Sequence, residues 1–235
     1  MKRNSFHLLL LVSLLLMCYG CSVAKPDTQS IAIKRQLLLN EDFSTPAVYT
    51  KEYQTVNAGW KVKLSHAEFI KTSDGLESKY SSGHMPVITY EGQFADVVIE
   101  LEFRFFEEDG KWAACRVSAT NPQLNPRAYA VSVWANQNNK ARNKGMVLEH
   151  DEWKPGIITE VNNKTGNWQS GKWYKLRLEI IGNYVRATCN GITVSGSHEK
   201  FGIPKTNIYL GVGTCKHQIK NFKVYAAEKN PAKKI

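Results

Sequence analysis

Apolar and polar residues alternate over most of this chain, the period of a β-strand with one buried face. The pattern is clearest across residues 173–194. Tyr174, Leu176, Leu178 and Ile180 alternate with Lys175, Arg177 and Glu179, and Gly182-Asn183 then turns the chain. Val185, Ala187 and Cys189 follow, with Arg186 and Thr188 between them. Asn190-Gly191 is the pair best suited to a two-residue type I′ hairpin, and Ile192 and Val194 begin the return, so three strands form a meander. Residues 94–106 read as one long strand, with Val97, Ile99, Leu101, Phe103 and Phe105 opposite Glu100, Glu102 and Arg104. Shorter strands are predicted at 37–43, 58–62, 69–71, 85–90, 111–119, 128–136, 145–151, 157–161, 208–212 and 218–225. No segment keeps a helical period over eleven residues. Many short strands at hairpin spacing predict an all-β chain, two antiparallel sheets stacked as a sandwich.

The first 24 residues depart from that pattern. Lys2 and Arg3 precede an apolar run at 8–17, too short for a stable bilayer span, which reads as an export signal. Two processing readings stay open. Tyr19-Gly20-Cys21 resembles a bacterial lipobox in which Cys21 carries lipid, although Cys18 stands where that motif usually has Leu. Ser22-Val23-Ala24 also suits ordinary signal cleavage. Residues 25–36 read as a tether, 37–226 as one sandwich domain and 227–235 as a basic tail. The expected location is periplasmic or cell-surface as a lipoprotein, or secreted.

The formal charge of +10 falls to +8 without Lys2 and Arg3, and the cations are scattered as Lys-x-Lys on strand faces. That distribution, in an exported chain, argues against nucleic acid as a partner. Contact with a membrane is expected only through an N-terminal lipid. Cys115, Cys189 and Cys215 remain after processing, an odd number; one disulfide among them is open, with Cys215 the most exposed candidate. No Cys-x-x-Cys or Cys/His cluster suggests zinc. No cofactor is predicted, although scattered oxygens in a lectin-like fold can bind calcium.

Strand phase gathers the candidate chemistry. If Ala113, Cys115 and Val117 face the core, Trp112, Arg116 and Ser118 share the other side. Inward Tyr129, Val131 and Val133 leave Ser132, Trp134 and Asn136 outside. Inward Met146 and Leu148 leave Val147, Glu149, Asp151 and Trp153 outside. Were these strands neighbours, one open face would collect indoles for stacking on sugar rings, with Arg, amide and carboxylates for hydroxyl pairs. The expected ligand groups are Trp112, Arg116, Trp134, Asn136 and Trp153. Glu149 and Asp151 are candidate acid/base residues, and His84, in a loop before a strand, is a candidate base or hydroxyl ligand. His66, His198 and His217 read as solvated, and Trp60 and Trp173 as core.

The order LLLNEDFS, VVIELEFRF, GKWYKLRLEIIGNYVRATCNGITV and IKNFKVY resembles the concanavalin A-like lectin/glucanase jelly roll, which is laminin G-like in architecture. More narrowly, it is similar to the 3-keto-disaccharide hydrolase domain family of exported bacterial proteins. The resemblance implies a jelly-roll sandwich with a sugar-binding concave sheet, an oligo- or polysaccharide partner, and hydrolysis of 3-keto-glycosides in some members. Glucanases of this fold place two carboxylates two residues apart on one strand, as at Glu149 and Asp151, with a third acid further along; here Glu152 takes the opposite phase. The alternative is a non-catalytic carbohydrate-binding or adhesion module using the same face.

Overall fold

The computed structural model describes residues 30–43, 47–49, 54–55, 60–63, 67–80, 85–121, 126–127, 131–136, 145–152 and 157–235. The strands are β1 (Ala32–Glu41), β2 (Ala47–Tyr49), β3 (Gln54–Thr55), β4 (Trp60–Lys63), β5 (Ala67–Thr72), β6 (Gly75–Tyr80), β7 (Val87–Phe94), β8 (Val97–Phe106) and β9 (Ala113–Thr120). They continue as β10 (Pro126–Arg127), β11 (Val131–Asn136), β12 (Gly145–Glu152), β13 (Ile157–Thr165), β14 (Tyr174–Ile181), β15 (Tyr184–Cys189), β16 (Ile192–Ser197), β17 (Lys205–Val212) and β18 (Lys216–Lys229). Among the described residues there is one short 3-10 turn, Glu199–Phe201, and no α-helix.

Sheet I runs β16-β15-β14-β8-β18-β6-β5-β2, with β1 also on β18, and sheet II runs β10-β12-β11-β9-β17-β7-β4-β3, with β13 on β12. All pairings are antiparallel, so the class is the jelly-roll sandwich that the alternation and the resemblance predict. The β14–β15–β16 meander has the predicted register. Asn190 and Gly191 both take positive φ (50° and 77°), as a type I′ turn requires, whereas at Gly182-Asn183 only Gly182 does, the type II′ pattern.

The core forms where the two inner faces meet. Sheet I contributes bulky side chains such as Ile99, Phe103, Phe105, Leu178 and Ile219. Sheet II answers with small ones on its central strand, Ala113, Cys115, Val117 and Ala119. Facing large against small fills the roughly 10 Å between the sheets. Trp60 closes one end beneath Phe43, Tyr90 and Phe222, ring centroids 5.3–5.5 Å away.

Several expectations are corrected. Residues 94–106 are two strands: the chain bends at Ala95-Asp96, and the Asp96 carboxylate accepts from Gly182 N at 2.8 Å. β1 begins at Ala32, pairing with Lys229, so the folded body reaches into the stretches read as tether and tail. Trp173 is not core. Its neighbour Tyr174 takes the inward phase, and the indole lies on the outer face of sheet I under Lys220 Nζ (4.1 Å) and Arg104 Cζ (4.6 Å). His217 is fully buried rather than solvated, while His198 accepts from Lys200 N at the 3-10 turn. His66, like residues 1–29, lies outside the described residues.

Cys115, Cys189 and Cys215 are all free and buried, Cys215 included, so no disulfide joins them. Burial raises the Cys189 thiol to about 11 and Cys215 to about 12, and pushes Cys115 well up. Since the thiolate is the reactive form, all three are expected to resist a thiol reagent at pH 8. Mass spectrometry of the cysteine peptides should show labelling of each only once denaturant unfolds the sandwich.

Candidate functional site

β12, β11 and β9 are consecutive neighbours in sheet II. Val117, Val133, Met146 and Leu148 enter the core. Arg116, Ser132, Val147 and Glu149 therefore belong to the opposite face. Ser132 stands directly across from Arg116 on one side and from Val147 on the other.

Around Arg116, Ser132 and Glu149 the face is polar and shielded from solvent. Glu149 is 1 % exposed and Arg116 8 %, with Ser118, Thr120 and Ser132 also buried. Sequence reading placed these groups in an open, solvated trough; burial of this face depends on what lies above the sheet, which strand phase does not encode. Arg116 and Glu149 sit two strands apart, roughly 10 Å between backbones. The guanidinium spans that distance across Ser132 and reaches the Glu149 carboxylate, Nη2 to Oε1 3.1 Å. Only a small residue at 132 permits the crossing, and its hydroxyl also donates to Glu149 Oε1 at 2.7 Å. A charge pair this dry interacts far more strongly than one in water.

Two further devices shape the surroundings. Gly211 is the register partner of Arg116, and a Cβ on it would meet Met85 Cε at 2.7 Å. The bare glycine thus lets Met85 lie over β17, where its Sδ is 3.9 Å from Arg116 Nη1. Trp112, half-buried, packs on Ala114 and Val147 of the same face. Its backbone is pinned from both sides: Trp112 N donates to Thr214 Oγ1 (3.0 Å), and Thr214 N donates to Trp112 O (2.9 Å). Gly213 makes this approach feasible, because a Cβ there would stand 2.2 Å from Trp112 O. From Trp112 to Arg116 is about 13 Å along the strand.

Trp134 pairs in register with Ala114 and Gly145, and Asn136, after a register shift, with Ala113. Asp151 stands two residues beyond Glu149, opposite Arg127 of β10 and Ile158 of β13. For Trp134, Asn136 and Asp151 the description extends to the backbone; His84, Trp153 and Cys21 lie outside the described residues. His84 immediately precedes Met85 in the chain. Among the described residues no group of three His, Cys, Asp or Glu could hold a metal ion.

Sequence reading did not single out Ser132, Met85, Gly211 or Glu160. Glu160 is the register partner of Glu149, and the register shift beside that pair brings β13 to it. Such relations need strand order and register, which a single sequence leaves unassigned. For Ser132 alone there was a signal: a small polar residue in outward phase between two strands bearing opposite charges.

Similar architectures are found among solved structures. A β-agarase B inactivated mutant in complex with agaro-octaose aligns with TM-score 0.57 and 8 % identity, over 87 % of this chain and 97 % of that one. A laminarinase from Flavobacterium sp. UMI-01 gives 0.54 and 11 %, over 81 % and 100 %. Carbohydrate-binding module CBM66 from Bacillus subtilis gives 0.54 and 13 %, over 72 % and 96 %. At such identities these likenesses establish the fold. No curated protein matches the chain. The profile of the 3-keto-alpha-glucoside-1,2-lyase-like domain matches residues 51–225, well over half of the sequence, and the chain belongs to that family.

Proposed function

We infer that the protein is an exported carbohydrate-active enzyme that takes a 3-keto-glycoside onto the outer face of sheet II, with Arg116 and Glu149 as its reacting centre. The observation that carries this reading is the buried guanidinium–carboxylate pair, 3.1 Å apart, on the face away from the core. A ketone at C3 of a sugar acidifies the neighbouring C2–H. A carboxylate that takes that proton leaves an enolate, whose negative charge gathers on the former carbonyl oxygen. The enolate electrons then form the C1–C2 double bond as the C1–O bond breaks, and a proton passes to the departing oxygen. This is an elimination across C1 and C2, the bond that the family's description names. Carbonyl oxygen and C2–H lie close together in the substrate, so adjacent positive and basic groups are the complement required. Arg116 stabilises the developing oxyanion and Glu149 receives the proton. Asp151 is the second carboxylate of the strand, and His84 assists at the leaving oxygen. Trp112, Trp134 and Trp153 stack on sugar rings while Asn136 orients hydroxyls. Processing before residue 25, with or without lipid on Cys21, delivers the domain to the periplasm, the cell surface or the medium.

A second reading has one observation in its favour: Glu149 is already engaged by both Arg116 and Ser132. A carboxylate so occupied suits a binding module that uses the same face without chemistry. Incubating the protein with matched plain and 3-keto disaccharides, and identifying products by mass and by NMR in D2O, separates the two. Elimination is expected from the 3-keto sugars alone, giving an unsaturated keto product lighter by one water than the hydrolysis product. Binding of either panel without turnover overturns the enzymatic reading in favour of the binding module.

A further inference from the structure

The two ends of the described chain meet at one end of sheet I, and a built clamp holds them there. The Glu179 carboxylate, 0 % exposed, accepts from Ile31 N (2.8 Å), Ser30 Oγ (2.9 Å) and Arg177 Nε (2.7 Å), with Arg186 Nη1 at 3.4 Å. Asn230 closes the clamp from the other side. Its backbone N donates to Ile31 O (2.8 Å) and its Nδ2 to Ser30 O (2.9 Å). Ile235 packs on the cluster of Ile31, Ala32, Val98 and Ile181. Ser30 is thereby fixed in the folded body. Only residues 22–29 separate it from Cys21, and an extended chain of that length reaches about 30 Å.

The same end is cationic. Lys229 and Lys234 are exposed, Lys233 is half-buried, and Lys34 and Arg35 lie in the adjoining part of β1. Two carboxylates answer these five cations: Glu100 bonds Lys34 at 3.1 Å, and Glu228 pairs with Arg35. Lys111, Lys172 and Lys216 mark the opposite end of the sandwich, beyond Phe106, about 30 Å away along β8.

We propose that the end built around Ser30 and Asn230 is the membrane-facing end, its lysines resting on an anionic lipid headgroup surface. The length of chain before Ser30 and the sign of the patch identify that occupant. Each lysine near an anionic surface contributes about 1 kcal/mol, so Lys229, Lys233 and Lys234 together bind weakly alone. A lipid on Cys21 confines them within reach of the bilayer and raises their effective concentration, and a weak patch then suffices to set orientation. Trp112, which follows the β8–β9 connection, then stands at the end remote from the lipid. The proposal does not depend on the sugar chemistry.

The test places the full-length protein, processed and carrying lipid on Cys21 as confirmed by mass, on vesicles of phosphatidylcholine alone, or with about one-third phosphatidylglycerol, and labels amines with a reagent that does not cross the bilayer. On the anionic vesicles, labelling of Lys229, Lys233 and Lys234 is expected to fall about threefold or more. Lys111, Lys172 and Lys216 should be unchanged, and high salt should remove the difference. In K229E/K233E/K234E, with an unchanged melting temperature, the protection of Lys34 should also vanish. Equal labelling on both vesicles, protection centred on Lys111 and Lys172, or failure to float with either vesicle overturns the proposal.

Discussion

Glu149→Gln is expected to lower turnover of a 3-keto-disaccharide by roughly 10²- to 10⁴-fold, the contribution of a positioned general base. It should also destabilise the fold. Gln retains a group for the Ser132 hydroxyl but removes the countercharge 3.1 Å from Arg116 Nη2. Breaking a buried pair by changing one partner costs about 3–5 kcal/mol, because the remaining charge keeps its desolvation penalty. Arg116→Met is expected to cost a similar amount from the other side. The double variant Arg116→Met/Glu149→Met separates structure from chemistry. With both charges gone and apolar side chains in their place, most of the lost stability should return, while turnover stays absent. Urea unfolding and product formation measured on the three proteins check this. Full turnover in Glu149→Gln would make Glu149 a structural countercharge and shift the proton acceptor to Asp151. Unchanged stability in both single variants would mean that water reaches the pair.

The stability effect follows from a feature that the sequence conveys only in part. Alternation identifies which residues share a face, and the observed phases of β8, β9, β11, β12 and β14 follow it, because each strand has one face against a shared core. Turn chemistry is equally local, so Asn190-Gly191 and Gly182 act where predicted. The break at Ala95-Asp96 was hidden because apolar residues flank it closely and its anchoring bond goes to Gly182, 86 positions away. Burial of the outer face of sheet II is likewise non-local. Arg116 and Glu149 were read as solvated ligand groups, yet they form one dry pair that depends on Ser132 lying between their strands. Trp173 shows the converse: it reads as core in the sequence, although its phase opposite Tyr174 already places it outside.

His217 was open to the same phase argument, because it alternates with Lys216 and Gln218 and shares the inward phase of Ile219. It gives a pH dependence of definite sign. The ring is 0 % exposed, its Nδ1 donates to the Cys215 carbonyl at 2.8 Å, and Phe105 packs 6.3 Å away between centroids. Burial lowers its pKa from 6.5 to about 4, against the smaller upward pull of the Cys215 carbonyl and Glu108. Between those values the unfolded chain binds a proton that the folded protein excludes, so stability falls as pH falls. The contribution is fully present above pH 6.5, is lost progressively down to about pH 4, and changes no further below that. At about 1.4 kcal/mol per pH unit, the loss over the window is of order 3 kcal/mol, or roughly 6–12 °C in melting temperature for a domain of this size. His217→Gln, a neutral side chain of similar volume, should carry a constant cost from the altered packing but a shallower slope between pH 6.5 and 4. Urea unfolding at half-unit pH intervals on both proteins measures that slope. Parallel slopes for the two proteins would show that the buried imidazole is not the group that titrates.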